Sequence, residues 1–356
     1  MRGLRAVLVT PLSGPLARFG HVGASALALW AEWASGSEAL GPPVRIELEV
    51  FDAHPSVAKA MGVALKTRPD VIFGPYGSGP ALAACRTTER VVWNHGGAAD
   101  RLRWSRFRNV VNLLAPASSY FSGALRAIRT TAPLVATVSL LHGATGFGQE
   151  VAAGAVSEAR RLGFAVEAMA FAPGHVEDAA QRLPSGDVLL VAGGFEDELA
   201  AARLLPARPW LAAAFVGAGV DEVLAALGPT REGLIGPSQW MSRVAPQPLD
   251  GPVATWFVDA FRAAEERDPP YPAAAAVAAG VVWGRCVRDA GTLDDTALLA
   301  TARRLQTVTL FGAFRLDPET GLQCGHEVLT VQWQQGARRV VWPLERAECE
   351  LIAPRA

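Results

Sequence analysis

Two stretches of this chain carry residue types and spacing suited to holding a small polar ligand. The first is Gly74-Pro75-Tyr76-Gly77-Ser78-Gly79, which directly follows the apolar run Asp70-Val71-Ile72-Phe73. An apolar strand that stops at a Gly-rich, Ser-bearing turn and then opens a helix leaves backbone N–H groups pointing outward. Such a turn holds an anion, typically a carboxylate or a phosphate, at the helix N-terminus. The second stretch is Asn94-His95-Gly96-Gly97, which follows Val91-Val92-Trp93. Two such loops at adjacent strand ends would make half of a binding site.

Patterns that would perform chemistry on the bound molecule are missing. The first loop has no G-x-x-x-x-G-K-[ST] spacing, and no G-x-G-x-x-G follows the first strand, so neither nucleotide fingerprint is met. A nucleophile elbow centred on Ser78 would need glycine at position 76, where Tyr76 stands. The six histidines, His21, His54, His95, His142, His175 and His326, are scattered, with no i, i+4 pair for a metal. The four cysteines, Cys85, Cys286, Cys324 and Cys349, form no C-x-x-C pair. Their plain reading is free thiols used as small hydrophobes; a Cys324–Cys349 bridge cannot be inferred from spacing. The expectation is a binding protein with no catalytic residue, metal or cofactor.

The elements that position these loops follow from periodicity. Short apolar runs at 4–10, 44–50, 70–73, 91–93, 110–113, 135–141, 164–170, 187–192 and 211–215 read as strands. Segments with helical spacing lie between them, at 23–33, 56–66, 118–129, 147–162 and 196–205. Continuous apolar strands separated by helices predict an α/β fold with parallel sheets covered on both faces. In such sheets ligands bind beyond the carboxyl ends of the strands. That rule points to the loops after Thr10, Phe73, Trp93, Leu141, Ala192 and Phe215. The last third changes character. Helices are expected at 251–266, 272–290 and 294–305, then strand-like pieces at 307–311, 313–316, 327–333 and 339–342. Leu316-Asp317-Pro318-Glu319-Thr320-Gly321 reads as a turn between extended segments.

Composition bounds the rest. A chain of 356 residues exceeds what one core usually serves, so two domains are expected. Half of it is hydrophobic and 19% charged, enough to build a large core. A net charge of -1 argues against a nucleic-acid partner, which would need a basic face. The run 4–10 is too short, and too quickly ended by Pro11, for a signal segment. The Ala-rich stretch 273–284 falls short of the ~20 residues that span a bilayer. The chain is then either cytosolic or exported under a signal that preceded this numbering.

The order of these signals resembles the type I periplasmic solute-binding proteins of the leucine/isoleucine/valine-binding group, which serve ABC transporters. Val7-Leu8-Val9-Thr10-Pro11-Leu12-Ser13-Gly14-Pro15, with Phe19-Gly20 after it, is similar to that family's first strand and loop. Residues 70–79 resemble its ligand loop. Gly146-Phe147-Gly148-Gln149 resembles the motif that opens the second lobe's first helix. Tyr271-Pro272-Ala273 through Ala290-Gly291 resembles its late Ala-rich helix. Gly312-Ala313-Phe314-Arg315-Leu316-Asp317, and then 332–343, resemble its closing strands. The resemblance implies two Rossmann-like lobes joined by a three-strand hinge and closing on ligand. Lobe 1 would be 1–117 plus 244–317, and lobe 2 would be 118–243 plus 318–356, with crossovers near Ala117, Ser242 and Asp317.

The resemblance also implies a function and a site. The function would be capture of a small carboxylate- or amide-bearing solute for an ABC permease, by a monomer. A cytosolic ligand sensor on the same fold is the alternative. Ser78 and the Gly79 amide would hold a ligand carboxylate, unless Ser78 is an ordinary helix N-cap. Asn94, His95, Gly96 and Gly97 occupy the loop where the family places ligand hydrogen bonds, unless that loop only packs on itself. His95 reads as a ligand donor or an exposed loop histidine. Phe147 and Phe195 match positions that often carry an aromatic against the ligand. Trp240 lies near the implied hinge, and Tyr76, Trp93, Tyr120 and Phe19 are further candidates. The acidic residue with which amino-acid binders pair the ligand ammonium is matched by Ala218, leaving Asp221 or Glu196 as substitutes. A buried ammonium without a partner is costly, so a carboxylate or amide with an apolar or aromatic body is the expected ligand.

Overall fold

The computed structural model describes residues 3–37, 44–204, 210–220 and 223–352. Its contacts divide the chain into two units, Met1–Pro116 with Trp240–Glu327, and Ala117–Gln239 with Val328–Ala356.

The first stretch of the first unit alternates strand and helix. Its strands are β1 (Leu4–Thr10), β2 (Ile46–Asp52), β3 (Val71–Phe73), β4 (Val92–Asn94) and β5 (Val110–Asn112). They form one sheet in the order β2-β1-β3-β4-β5, with every pair parallel, as the continuous apolar runs predict. The helices are α1 (Ala17–Ser35), α2 (Val57–Lys66) and α3 (Ser78–Thr87). Ser56 caps α2, its hydroxyl accepting from Lys59 N at 3.4 Å.

The second unit begins with α4 (Ser122–Thr131) and continues through β6 (Thr137–Gly143), α5 (Gly146–Arg161), β7 (Ala165–Phe171) and α6 (Val176–Arg182). Next come β8 (Val188–Ala192), α7 (Phe195–Leu204), β9 (Ala212–Phe215) and β10 (Ile235–Ser238). The expected end of α7 at position 205 lies outside the described residues. The short helix α6 and the strand β10 are absent from the sequence reading.

The chain then returns to the first unit with α8 (Ala254–Glu265), α9 (Tyr271–Ala290) and α10 (Asp295–Ala302), followed by the ribbon β11 (Thr307–Thr309) and β12 (Gly312–Phe314). From Pro272 to Gly284 helix α9 is buried throughout, so it is a core helix. No helix among the described residues is long and apolar enough to cross a membrane. Trp30 of α1 is the centre of this core, packed edge-on against Phe73 at 5.4 Å and Trp283 at 5.8 Å. Fully burying one such ring contributes about 2–3 kcal/mol.

The last strands, β13 (Leu329–Gln334) and β14 (Ala337–Trp342), join the second unit's sheet, giving the order β14-β13-β10-β9-β8-β6-β7. Strands β9-β8-β6-β7 are parallel, as the apolar runs predict, and β10 pairs parallel with β9. β13 is antiparallel to both β10 and β14, so the sheet is mixed. The short turn at Gln335-Gly336 makes β14 antiparallel to β13, whereas the β10–β13 pairing joins segments far apart in the chain.

Ala117 falls in the second unit, and the segments 240–243 and 318–327 fall in the first, where the limits read from the sequence stand at 117, 243 and 317. Local bonds explain both. The Trp240 indole donates to Leu310 O at 2.8 Å, and its ring lies 6.2 Å from Phe257. Trp104 N donates to Thr320 O at 2.7 Å, Asn112 Nδ2 donates to Gly321 O at 3.0 Å, and His326 stacks on Phe311 at 4.3 Å.

Candidate ligand-binding loops

In the first unit the loops after β3 and β4 lie side by side at the carboxyl ends of paired strands. Gly77 turns the chain into α3 with φ of +99°, a conformation that L side chains rarely adopt. Ser78 is then the first helical residue rather than the cap. Its hydroxyl makes no hydrogen bond among the described residues. Gly77 N donates to Gly96 O and Ala81 N donates to Gly77 O, both at 2.9 Å. Pro80 has no N–H, so the amides of Ser78 and Gly79 are the ones left at this helix start. Gly79 is exposed, and a Cβ built there would meet nothing within 4 Å. Two outward amides, one hydroxyl and the helix dipole fit one carboxylate.

The second loop differs from the expectation. Asn94, His95, Gly96 and Gly97 are all buried. The Asn94 carboxamide is committed to its own loop and to the neighbouring strand β5. Its Nδ2 donates to Gly97 O at 2.7 Å and to Asn112 Oδ1 at 2.9 Å, and its Oδ1 accepts from Gly97 N at 2.9 Å. Gly96 bridges Tyr76 in parallel register, and a Cβ on it would stand 2.4 Å from Tyr76 Cα. This loop therefore braces the β3–α3 turn from behind. His95 is neither exposed nor a loop-surface donor. Its ring is buried with no partner for either nitrogen among the described residues, and it faces α1, where a Cβ on Gly23 would meet Cε1 at 3.2 Å. Burial pushes its pKa down to about 4, so it is neutral at pH 7.

An aromatic wall completes this face. Tyr76 stacks on Phe19 at 4.4 Å, and its hydroxyl shares a 3.0 Å hydrogen bond with that of Tyr271 at the head of α9. The sequence reading noticed Tyr271 but gave it no role in the site. The signal was there, an aromatic directly before a proline that starts a buried helix. Trp93 and Trp240 are both buried, and the Trp240 indole nitrogen is engaged with Leu310 O.

In the second unit the helix starts after β6 and β8 carry the candidates. Thr145 caps α5 by accepting from Gly148 N at 3.1 Å, and Phe147 sits half-buried in that first turn. Tyr120 meets Phe147 edge-on at 5.7 Å, and its hydroxyl accepts from Gln239 Nε2 at 3.3 Å. Phe195 opens α7 and is also half-buried. Ala218 is buried, and its carbonyl accepts from the Trp333 indole at 2.9 Å. Of the two suggested substitutes, Glu196 is exposed and Asp221 lies outside the described residues.

The carboxyl group that does occupy this region is Glu198, which the sequence reading missed. Its Oε1 accepts from Gly193 N at 3.0 Å and its Oε2 accepts from Gly217 N, tying the loops after β8 and β9 together. Burial, opposed by these two amides, pushes its pKa up to about 8. It shares the buried stripe of α7 with Ala201 and Ala202. A carboxylate on an apolar stripe was the available signal. No group of three or more potential metal ligands occurs among the described residues.

Two α/β units that present helix-start amides and half-buried aromatics at their strand ends define a binding protein for small solutes. The family model for periplasmic binding proteins matches residues 4–338, and the chain belongs to that family. Membership makes it a solute-binding protein rather than an enzyme. Its fold is that of the leucine/isoleucine/valine-binding group. A leucine-binding protein from Thermotoga maritima superimposes with a TM-score of 0.78 at 17% identity, covering 95% of this chain and 97% of that one. A putative branched-chain amino acid ABC transporter protein from Silicibacter pomeroyi reaches 0.80 at 14% identity, covering 99% and 100%. A solute-binding protein of an ABC transporter from Rhodopseudomonas palustris, in complex with benzoate, reaches 0.75 at 19% identity, covering 98% and 100%.

Proposed function

We propose that this protein is an extracytoplasmic receptor that captures a small carboxylate- or amide-bearing solute with an apolar or aromatic body and delivers it to an ABC permease. The observation that carries the reading is the set of groups that each unit presents at its own strand ends. One unit offers two outward amides and the Ser78 hydroxyl. The other offers the Phe147 and Phe195 rings with no ionised acid at position 218. Glu198 does not supply that charge, since both of its oxygens already accept backbone amides and burial favours its neutral form. An α-amino acid would bring an ammonium that position 218 does not neutralise, whereas an aromatic or aliphatic acid brings only the group that the α3 start can hold. Relatives from Rhodopseudomonas palustris in complex with benzoate and with 3,4-dihydroxybenzoic acid support this solute class.

A thermal-shift panel tests it. Benzoates, aliphatic carboxylates and amides are compared with leucine, isoleucine and valine. A ligand at a hundred times its dissociation constant stabilises the fold by about 2.7 kcal/mol. The expected result is an upward shift with acids or amides and none with the amino acids. A shift with leucine and none with any acid or amide would overturn the reading. An export signal in the reading frame upstream of Met1, and a monomeric elution volume, are the expected companions of this role.

A further inference from the structure

The segment after the second loop reads Arg101-Leu102-Arg103-Trp104-Ser105-Arg106-Phe107-Arg108, four arginines in eight residues with no carboxylate. It enters β5 at that strand's amino end, so it lies at the end of the first sheet opposite to the solute loops. Leu102, Trp104 and Phe107 are buried, while Arg103, Arg106 and Arg108 are exposed. The apolar residues pin the segment, with the Trp104 indole donating to Val110 O at 3.2 Å. Phe107 then floors a cavity of about 640 Å³ against the carboxyl end of α3. The Arg86 and Arg106 guanidinium carbons stand 5.9 and 5.7 Å from its ring centre. Arg108 and Thr88 complete the wall, and exposed Glu89 is the single acid lining it. Asn109 makes the rim rigid, its Nδ2 donating to the carbonyls of Cys85, Thr88 and Arg90. Nearby Arg90 is neutralised by Asp295 at 2.5 Å. Arg86, Arg106 and Arg108 have no carboxylate within ion-pair distance among the described residues.

Three guanidiniums without an ion-pair partner, gathered about one aromatic ring, raise the local positive potential, which an anion among them would lower. The planar fork of arginine matches a tetrahedral oxyanion bidentately, and an aromatic face beneath it holds the cation in place. We propose that this cavity binds a phosphate group, either of a soluble phosphate compound or of an anionic lipid headgroup. The site is separate from the solute loops and does not depend on the reading of them.

Isothermal titration of the full chain with pyrophosphate at 0.15 M salt, and flotation with phosphatidylcholine vesicles with and without phosphatidylglycerol, test the proposal. Arg108 makes no hydrogen bond, ion pair or ring contact among the described residues, so Arg108→Gln should leave the melting temperature unchanged. It should weaken pyrophosphate binding about tenfold, as expected for losing one charge-assisted contact. Arg106→Gln with Arg108→Gln should abolish binding, and Arg315→Gln, elsewhere on the same unit, should not affect it. Flotation that requires phosphatidylglycerol and is competed by pyrophosphate assigns the group to a headgroup. Pyrophosphate binding without flotation assigns it to a soluble compound. Neither pyrophosphate heat nor flotation in the parent chain, or equal binding by the double variant, would overturn the proposal.

Discussion

At the scale of single residues, the two Gly-bearing loops of the first unit look alike in sequence and do different work. The Ser78 hydroxyl has no hydrogen bond to lose among the described residues, so Ser78→Ala should change stability by no more than about 0.5 kcal/mol. If it meets a carboxylate, the same change should weaken solute binding by roughly 1–3 kcal/mol. Calorimetry of the variant checks this, and an unchanged affinity removes Ser78 from the site. Asn94→Ala should behave in the opposite way. It strips three buried hydrogen bonds from the brace and should cost on the order of 2–3 kcal/mol of stability. Denaturant unfolding gives the number, and a neutral result would show that the brace is not needed. The residue types of both loops were legible in the sequence, but their roles were not. A Ser or Asn side chain serves a ligand or its own backbone equally well, and only the partner found in three dimensions decides. His95 makes the same point, since an imidazole in a polar-looking loop proved to be buried against Gly23.

At the scale of elements, most strands and helices follow from apolar runs and their spacing because burial on both faces leaves a continuous hydrophobic string. Strand β10 escaped because Gly236 and Pro237 are poor strand formers. It exists because β13 supplies a partner from nearly a hundred residues away, which no local pattern contains. The antiparallel edge of the second sheet was hidden for the same reason. Helix α9 was legible as buried, but what it packs on was not. Gly280 is the notch that admits Trp30, and a Cβ there would lie 2.2 Å from the indole. Gly280→Ala should therefore destabilise the first unit by about 1–3 kcal/mol despite the better helix propensity of alanine. A lowered melting temperature is expected, and a raised one would show that α1 can yield.

At the scale of the whole molecule, two buried titratable groups set opposite limits on stability. His95 has a folded pKa of about 4 against 6.5 for the free side chain. The unfolded chain therefore takes up a proton that the folded one refuses, and stability falls as pH drops below about 6.5. The full effect, reached near pH 4, is about 3 kcal/mol. Glu198 has a folded pKa of about 8 against 4.5. The folded chain keeps a proton that the unfolded one releases, so stability falls as pH rises from about 4.5 to 8. Between about pH 4.5 and 6.5 the two effects oppose one another, so melting curves should show His95→Leu gaining stability relative to the parent as pH falls from about 6.5 to 5, above the range where ordinary carboxylates titrate. Glu198→Gln should flatten the alkaline side. Parallel curves for parent and variants would show that neither group governs the profile. By itself the sequence determined the α/β class, the positions of the helix-start loops, the lack of catalytic spacing and the family resemblance. These depend on local periodicity and on residue type at fixed offsets. Only the tertiary structure decided which loop residues face outward and which brace from behind. It also buried Trp93 and Trp240, and brought a carboxyl group, Glu198, to tie two loops where Ala218 leaves no acid. Burial and partnership arise from segments far apart in the chain, and a side chain's chemistry is set by what those segments bring against it.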